Sequence, residues 1–169
     1  HLREAGVQTV GVGKISDIFA GQGIGRSIHT ADNADGAEQV TALIRERTDG
    51  LVFANLNDFD SKFGHRNNPQ GYAEALEAFD ADLAAMLAAI DRETLLMITA
   101  DHGTDPTSES TDHTRERVPL LAAGPQVLPV CLGTRESYAD LGATLCDLFG
   151  AAALPVGTSF AAELLGARA

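Results

Sequence analysis

Apolar strands alternating with amphipathic helices predict an α/β fold, with a mostly parallel sheet and helices on both faces. Two observations carry that prediction. Residues 51–56 (Leu-Val-Phe-Ala-Asn-Leu) and 94–100 (Thr-Leu-Leu-Met-Ile-Thr-Ala) are nearly continuous apolar runs. Such runs mark strands buried on both sides, as in a parallel sheet. Between them, Tyr72, Leu76, Phe79, Leu83, Met86, Leu87 and Ile90 recur at spacings of three and four. That stripe is the core-facing side of a helix.

The other elements follow in order. Residues 2–6 (Leu-Arg-Glu-Ala-Gly) read as the last turn of a helix closed by glycine. Residues 7–13 read as a short Val-rich strand. Residues 14–33 form a glycine-rich connector, with a small apolar patch at Ile15, Ile18 and Phe19. Its Gly21, Gly23 and Gly25 lack the strand-turn-helix spacing of a phosphate-binding loop, so the segment reads as flexible connection. Residues 35–47 predict a helix with Val40, Leu43 and Ile44 on one face. Residues 57–70 are a polar loop, and residues 118–124 a further strand. A helix is expected over 137–149, with Ser137 as N-cap and Gly150 beyond its end. A short terminal helix is expected after Pro155. No repeat, low-complexity segment or internal boundary interrupts this pattern.

A chain of 169 residues suits one domain, and 44% apolar residues can build a substantial core. The 24 acidic and 12 basic residues give a net charge of −12, which argues against a nucleic-acid partner. A small phosphorylated substrate stays compatible, because bound cations reverse the local potential. No apolar run approaches the roughly 20 residues of a membrane span, and no signal peptide is visible. Cys131 and Cys146 form no CxxC pair and read as reduced cysteines of a cytosolic protein. The chain opens at His1, inside what reads as the end of a helix, so a preceding segment is expected.

Open parallel sheets bind ligands beyond the carboxyl ends of their strands. There the sequence places Asp58, Asp60 and His65 after one strand, and Asp101 and His102 after another. His113 follows in the next loop. Asp and His are the ligand set of a hydrolytic or phosphoryl-transfer site with one or two divalent metals. Each residue alone has an ordinary reading: a surface His65, a helix-capping Asp101, a solvated His113, an Asp60 that accepts from a loop amide. Their joint placement favours a shared site. Asp58 and Asp112 are less defined; Asp58 suits a residue that orients the loop or a histidine. His1 and His29 have no comparable setting.

Longer motifs surround these residues. They are Gly13-Lys14-Ile15-Ser16-Asp17-Ile18-Phe19, Asn55-Leu56-Asn57-Asp58-Phe59-Asp60, Gly64-His65-Arg66, Gly71-Tyr72, Thr99-Ala100-Asp101-His102-Gly103, Asp105-Pro106-Thr107 and Thr111-Asp112-His113-Thr114-Arg115-Glu116. In this order they resemble the phosphopentomutase family, from about residue 2 to residue 149 or beyond. Ala-Asp-His-Gly alone would indicate only the wider alkaline-phosphatase-like superfamily.

The resemblance implies an alkaline-phosphatase-like core that interconverts ribose 1-phosphate and ribose 5-phosphate, or their deoxyribose equivalents, with two manganese ions. By analogy Asp60, His65 and His113 hold one metal. Asp101 and His102 hold the other, with an upstream Asp. The family's nucleophilic threonine and its cap domain also lie upstream. Residues 1–169 are then the C-terminal portion of one catalytic core, whose partners are a pentose phosphate and the N-terminal part of the same protein. Lys14, Arg66 and Arg115 are candidate contacts to substrate phosphate, each with a plain surface role as the alternative. Two other readings stay open: a cofactor-independent phosphoglycerate mutase or phosphatase of the same superfamily, and a non-catalytic metal-binding fragment. Such a portion expressed alone is expected to expose apolar faces and to aggregate.

Overall fold

The computed structural model describes residues 1–166. Strand β1 (Thr9–Val12) sits between β2 (Arg26–Ile28) and β3 (Leu51–Ala54), and both neighbours run parallel to it. Val10 is opposite Arg26 on one side and Val52 on the other. Helix α1 (Ile15–Ile18) links β1 to β2, and α2 (Asn33–Arg45) links β2 to β3. These are the two crossovers that parallel pairing requires.

Alternation along β1 decides which face meets which helix. Val10 and Val12 form one core with Ala37, Val40 and Leu43 of α2 and Met86 of α3 (Pro69–Ala89). Phe79, Leu83 and Val52 pack around that core. Gly11, on the opposite side, lies against Ile15 and Ile24. Leu51 and Phe53 face that side too, across an apolar cavity of about 280 Å³ from Gly142, Leu145 and Cys146 of α4 (Ala139–Leu148). Helices therefore flank both faces, as the sequence predicts.

The parallel expectation fails for the last two strands. β4 (Leu96–Thr99) and β5 (Leu120–Ala123) pair antiparallel, with Leu96 opposite Ala123 and Thr99 opposite Leu120. The reason is the link. No helix lies between residues 99 and 120, so the chain folds back on itself instead of crossing over.

The connector 14–33 also departs from expectation, since it holds α1 and β2. Thr9 fixes its glycine run: the hydroxyl donates to the Gly23 carbonyl at 2.7 Å and accepts from the Gly25 N–H at 2.9 Å. A three-residue strand is too short to show a period of two in sequence.

The glycine-closed turn at the start is present. Val7 N–H reaches the Leu2 carbonyl and Gly6 N–H the Arg3 carbonyl, with Gly6 at φ +81°. That double bond pattern needs a left-handed residue at its centre, and glycine has no Cβ to oppose it. The terminal helix α5 is Ala161–Leu165, and α4 starts two residues after Ser137, whose hydroxyl accepts from the Ala139 N–H. Phe160 and Leu164 are buried, and the segment before α5 is tied to α4 through Asp140 and Thr144. Among the described residues no helix is long and apolar enough to cross a membrane.

Candidate metal centre

Beyond β3 the chain enters a single π-helical turn, Phe59–Phe63, then a 3-10 turn, Gly64–Arg66. A π-turn puts one extra residue into a helical loop and is frequent at functional sites. Here it turns Asp60 and His65 toward each other, with Asp60 Oδ2 3.3 Å from His65 Nε2. Beyond β4, Gly103 bridges to Thr114 in antiparallel register, and Thr114 N–H donates to the Gly103 carbonyl at 3.1 Å. That bridge carries His113 to His102. Their rings stack with centroids 3.5 Å apart and planes 15° from parallel.

The two halves meet at His113. Its Nε2 is 3.5 Å from Asp60 Oδ1 and 3.2 Å from His65 Nε2. Ligand atoms of Asp60, His102 and His113 all lie within 4.8 Å of one another. The structure thus brings together Asp60, His65, His102 and His113. Asp101 stands at the rim: it is exposed, with Oδ1 3.6 Å from His102 Nε2. The resemblance divides the five residues into two sets, but the Gly103–Thr114 bridge seats His102 against His113 of the other set.

Hydrogen bonds define which ring nitrogens face inward. His65 Nδ1 is 2.5 Å from the Thr111 carbonyl. A carbonyl only accepts, so in the neutral ring Nδ1 carries the proton and Nε2 presents a lone pair toward Asp60 and His113. His102 Nδ1 is 3.1 Å from the Gly103 carbonyl, which can only accept, and 3.3 Å from the Thr104 hydroxyl, which can donate or accept. Asp60 Oδ1 is buried and has no hydrogen-bond donor among the described residues. An unpartnered carboxylate oxygen beside inward lone pairs is costly unless a cation satisfies it. The donors present fit a divalent metal. The Asp60 charge also reaches Tyr72, whose phenol is pushed up by burial and then by that carboxylate.

Among the described residues, none of the predicted substrate contacts bonds a ligand side chain of this cluster. Lys14 is exposed at the end of β1 and lines a small polar pocket with Thr30, Asp32, Asn55 and Asp58. Arg66 is exposed and donates weakly to the His65 carbonyl at 3.4 Å. Arg115 is exposed and makes no hydrogen bond or ion pair among the described residues. Two supports of the cluster escape the sequence reading, the Thr111 carbonyl and Asn67. The Asn67 amide donates to the Ser108 carbonyl at 2.9 Å and so fastens the two loops. Only the folded chain marks it, as a left-handed residue (φ +48°) just after the 3-10 turn.

Residues 2–153 match the family model described as the Metalloenzyme superfamily. The chain belongs to that superfamily. Among curated superfamily relatives, the phosphopentomutase of Kosmotoga olearia is 52% identical over 166 residues, 98% of this chain and 43% of its own length. The phosphopentomutase of an Anaeromyxobacter species is 55% identical over 164 residues, 97% of this chain and 42% of its own. This chain thus spans less than half the length of those relatives. Among solved structures, the phosphoglycerate mutase of Leishmania mexicana matches at TM-score 0.68 and 18% identity, over 94% of this chain and 37% of that one. At that identity the likeness concerns the fold alone, and it agrees with the α/β class read from the sequence.

Proposed function

We propose that this chain supplies the carboxyl-terminal part of a phosphopentomutase catalytic core, acting on ribose or deoxyribose phosphates with two divalent ions of the manganese type. The observation that carries the reading is the buried, donor-free Asp60 oxygen facing His113, with His65 and His102 beside it. The relatives just described bear the phosphopentomutase name over nearly all of this chain.

In this reading Asp60, His65 and His113 hold one ion, and Asp101 and His102 hold the other. A further Asp, the phosphorylated threonine and a cap would come from sequence that the longer relatives carry outside the match. Bound divalent cations would offset the charge on phosphoryl oxygens and steady the attacking and leaving oxygens together. The chain's own part is orientation. The Thr111 carbonyl turns His65 inward, the Gly103 carbonyl turns His102, and the Gly103–Thr114 bridge sets His113. Lys14, Arg66 and Arg115 lie on surfaces open to a phosphate and are assigned to substrate binding.

The native gene product should convert ribose 5-phosphate to ribose 1-phosphate when supplied with Mn²⁺. Turnover of another phosphate ester with none of the pentose phosphate would reject the assignment in favour of a different superfamily activity, such as a phosphatase or a phosphoglycerate mutase.

A further inference from the structure

The π-turn that bears Asp60 is held at its start by a residue 25 positions away. Asn33 is the first residue of α2, where a backbone N–H has no partner within the helix. It donates that N–H to Asp58 Oδ2 at 3.1 Å. In return, the Asn33 side-chain Oδ1 accepts from the Asp58 backbone N–H at 2.9 Å. Lys62, one turn on, adds its ammonium to the same Asp58 oxygen at 2.9 Å. Asp58 thus engages Asn33 and Lys62 through Oδ2 and its backbone N–H, and Asp60, two residues later, points to the histidines. The other end of the chain of contacts is rigid. Ala37, Val40 and Leu43 bury α2 in the main core.

We propose that Asn33 and Asp58 are positioning residues. Their reciprocal clamp couples the core-anchored α2 to the Asp60–His65 turn and sets the affinity of the metal centre. The inference rests on the metal reading of Asp60, His65 and His113. Neither Asn33 nor Asp58 is assigned as a ligand; each acts through the backbone of residues 58–65. Groups of this kind fix ligand geometry in advance, and their loss costs about 10–100-fold in metal affinity. Because the two bonds form one unit, removing either partner should remove the effect of both.

The test is calorimetric titration of the native gene product with Mn²⁺, alongside the melting temperature of the EDTA-treated protein. Asn33→Ala and Asp58→Ala should each weaken Mn²⁺ binding by about 10–100-fold, and the double variant should bind no more weakly than either single one. Asp58→Asn keeps an oxygen for the Asn33 N–H and leaves the backbone bond intact, so it should bind close to the native protein. If Asn33→Ala melts too low to titrate, Asn33→Ser, whose hydroxyl is too short to span the gap, must still weaken binding. Native Mn²⁺ affinity in the clamp variants with only a lowered melting point overturns the inference, as does an additive loss in the double variant. Asp60→Ala separates the two claims. If it binds Mn²⁺ like the native protein, the metal centre itself is misassigned and the clamp falls with it. If Asp60→Ala loses binding while the clamp variants keep it, the clamp alone is wrong.

Discussion

Gly103→Ala tests whether the bridge between the two loops holds the cluster together. Gly103 is buried, and a Cβ there would lie 2.7 Å from the Glu116 carbonyl oxygen, 2.8 Å from the Glu116 nitrogen and 2.9 Å from the Thr114 oxygen. All three are backbone atoms, so no side chain can swing aside. Gly103 is not among the glycines with positive φ, so alanine meets no dihedral strain and the effect is steric alone. Overpacking of this kind costs about 1–3 kcal/mol. Relief requires residues 114–116 to move away, which breaks the Thr114–Gly103 bond and the 2.8 Å bond from Asp105 N–H to the Thr114 hydroxyl, at about 0.5–1.5 kcal/mol each. Borne in place or relieved in this way, the clash costs about 1–3 kcal/mol. The segment from 109 to 117 is largely exposed, so it can detach instead of unfolding the core. The global melt should then fall by an amount near the lower end of that range, while His113 leaves Asp60 and Mn²⁺ affinity drops sharply. Thermal melts and Mn²⁺ calorimetry on the native gene product measure both. Native affinity together with an unshifted melt would refute the reasoning, since the bridge would then have no part in positioning His113.

Two further expectations follow from the same geometry and its surroundings. His65→Ala and His113→Ala should each lower the bound-metal stoichiometry at neutral pH, measured by elemental analysis after gel filtration; unchanged stoichiometry in both would remove these residues from the ligand set. At the other end of the chain, the Thr158 N–H and then the Arg135 guanidinium hold the Asp140 carboxyl below its usual range. A value depressed by folding stabilises above the unfolded pKa of about 4 and is lost as pH falls through the folded value. Asp140→Asn should therefore flatten the decline of melting temperature below about pH 4. An acid limb as steep as that of the native protein would show that this ion pair does not contribute to it.

The long elements were legible because their signals are local. The stripe from Tyr72 to Ile90 and the apolar runs at 51–56 and 94–100 state their own period, and the structure places α3, β3 and β4 on them. Strand direction was not legible. Leu96–Thr99 and Leu120–Ala123 look the same whether paired parallel or antiparallel, and only the helix-free link between them decides. Residues 26–28 are too few to carry a pattern, and it takes Thr9, far off in sequence, to order the glycines before them. The site divides likewise. Asp60, His65, His102 and His113 declare themselves by residue type at strand ends. The Thr111 carbonyl that orients His65 belongs to the backbone, which every residue shares, so no letter in the sequence marks it. The Asn33–Asp58 clamp is an ordinary pair of residues until folding closes the gap between them.

Ring tautomers give a test of the site that needs neither metal nor turnover. A carbonyl oxygen has no proton to give, so a ring nitrogen within hydrogen-bond distance of one must itself carry the hydrogen. His65 Nδ1 meets the Thr111 carbonyl. Neutral His65 should be the Nδ1–H tautomer in the metal-free protein, visible in the nitrogen and carbon chemical shifts of its ring. That tautomer is the minor one for an imidazole free in water, so its presence reports the fold and not chance. It also aims the His65 Nε2 lone pair inward before any ion arrives, which spares the ordering cost at binding. Observation of an Nε2–H ring at His65 would mean that the Thr111 carbonyl does not orient it. The inward His65 lone pair that the metal reading uses would then be absent.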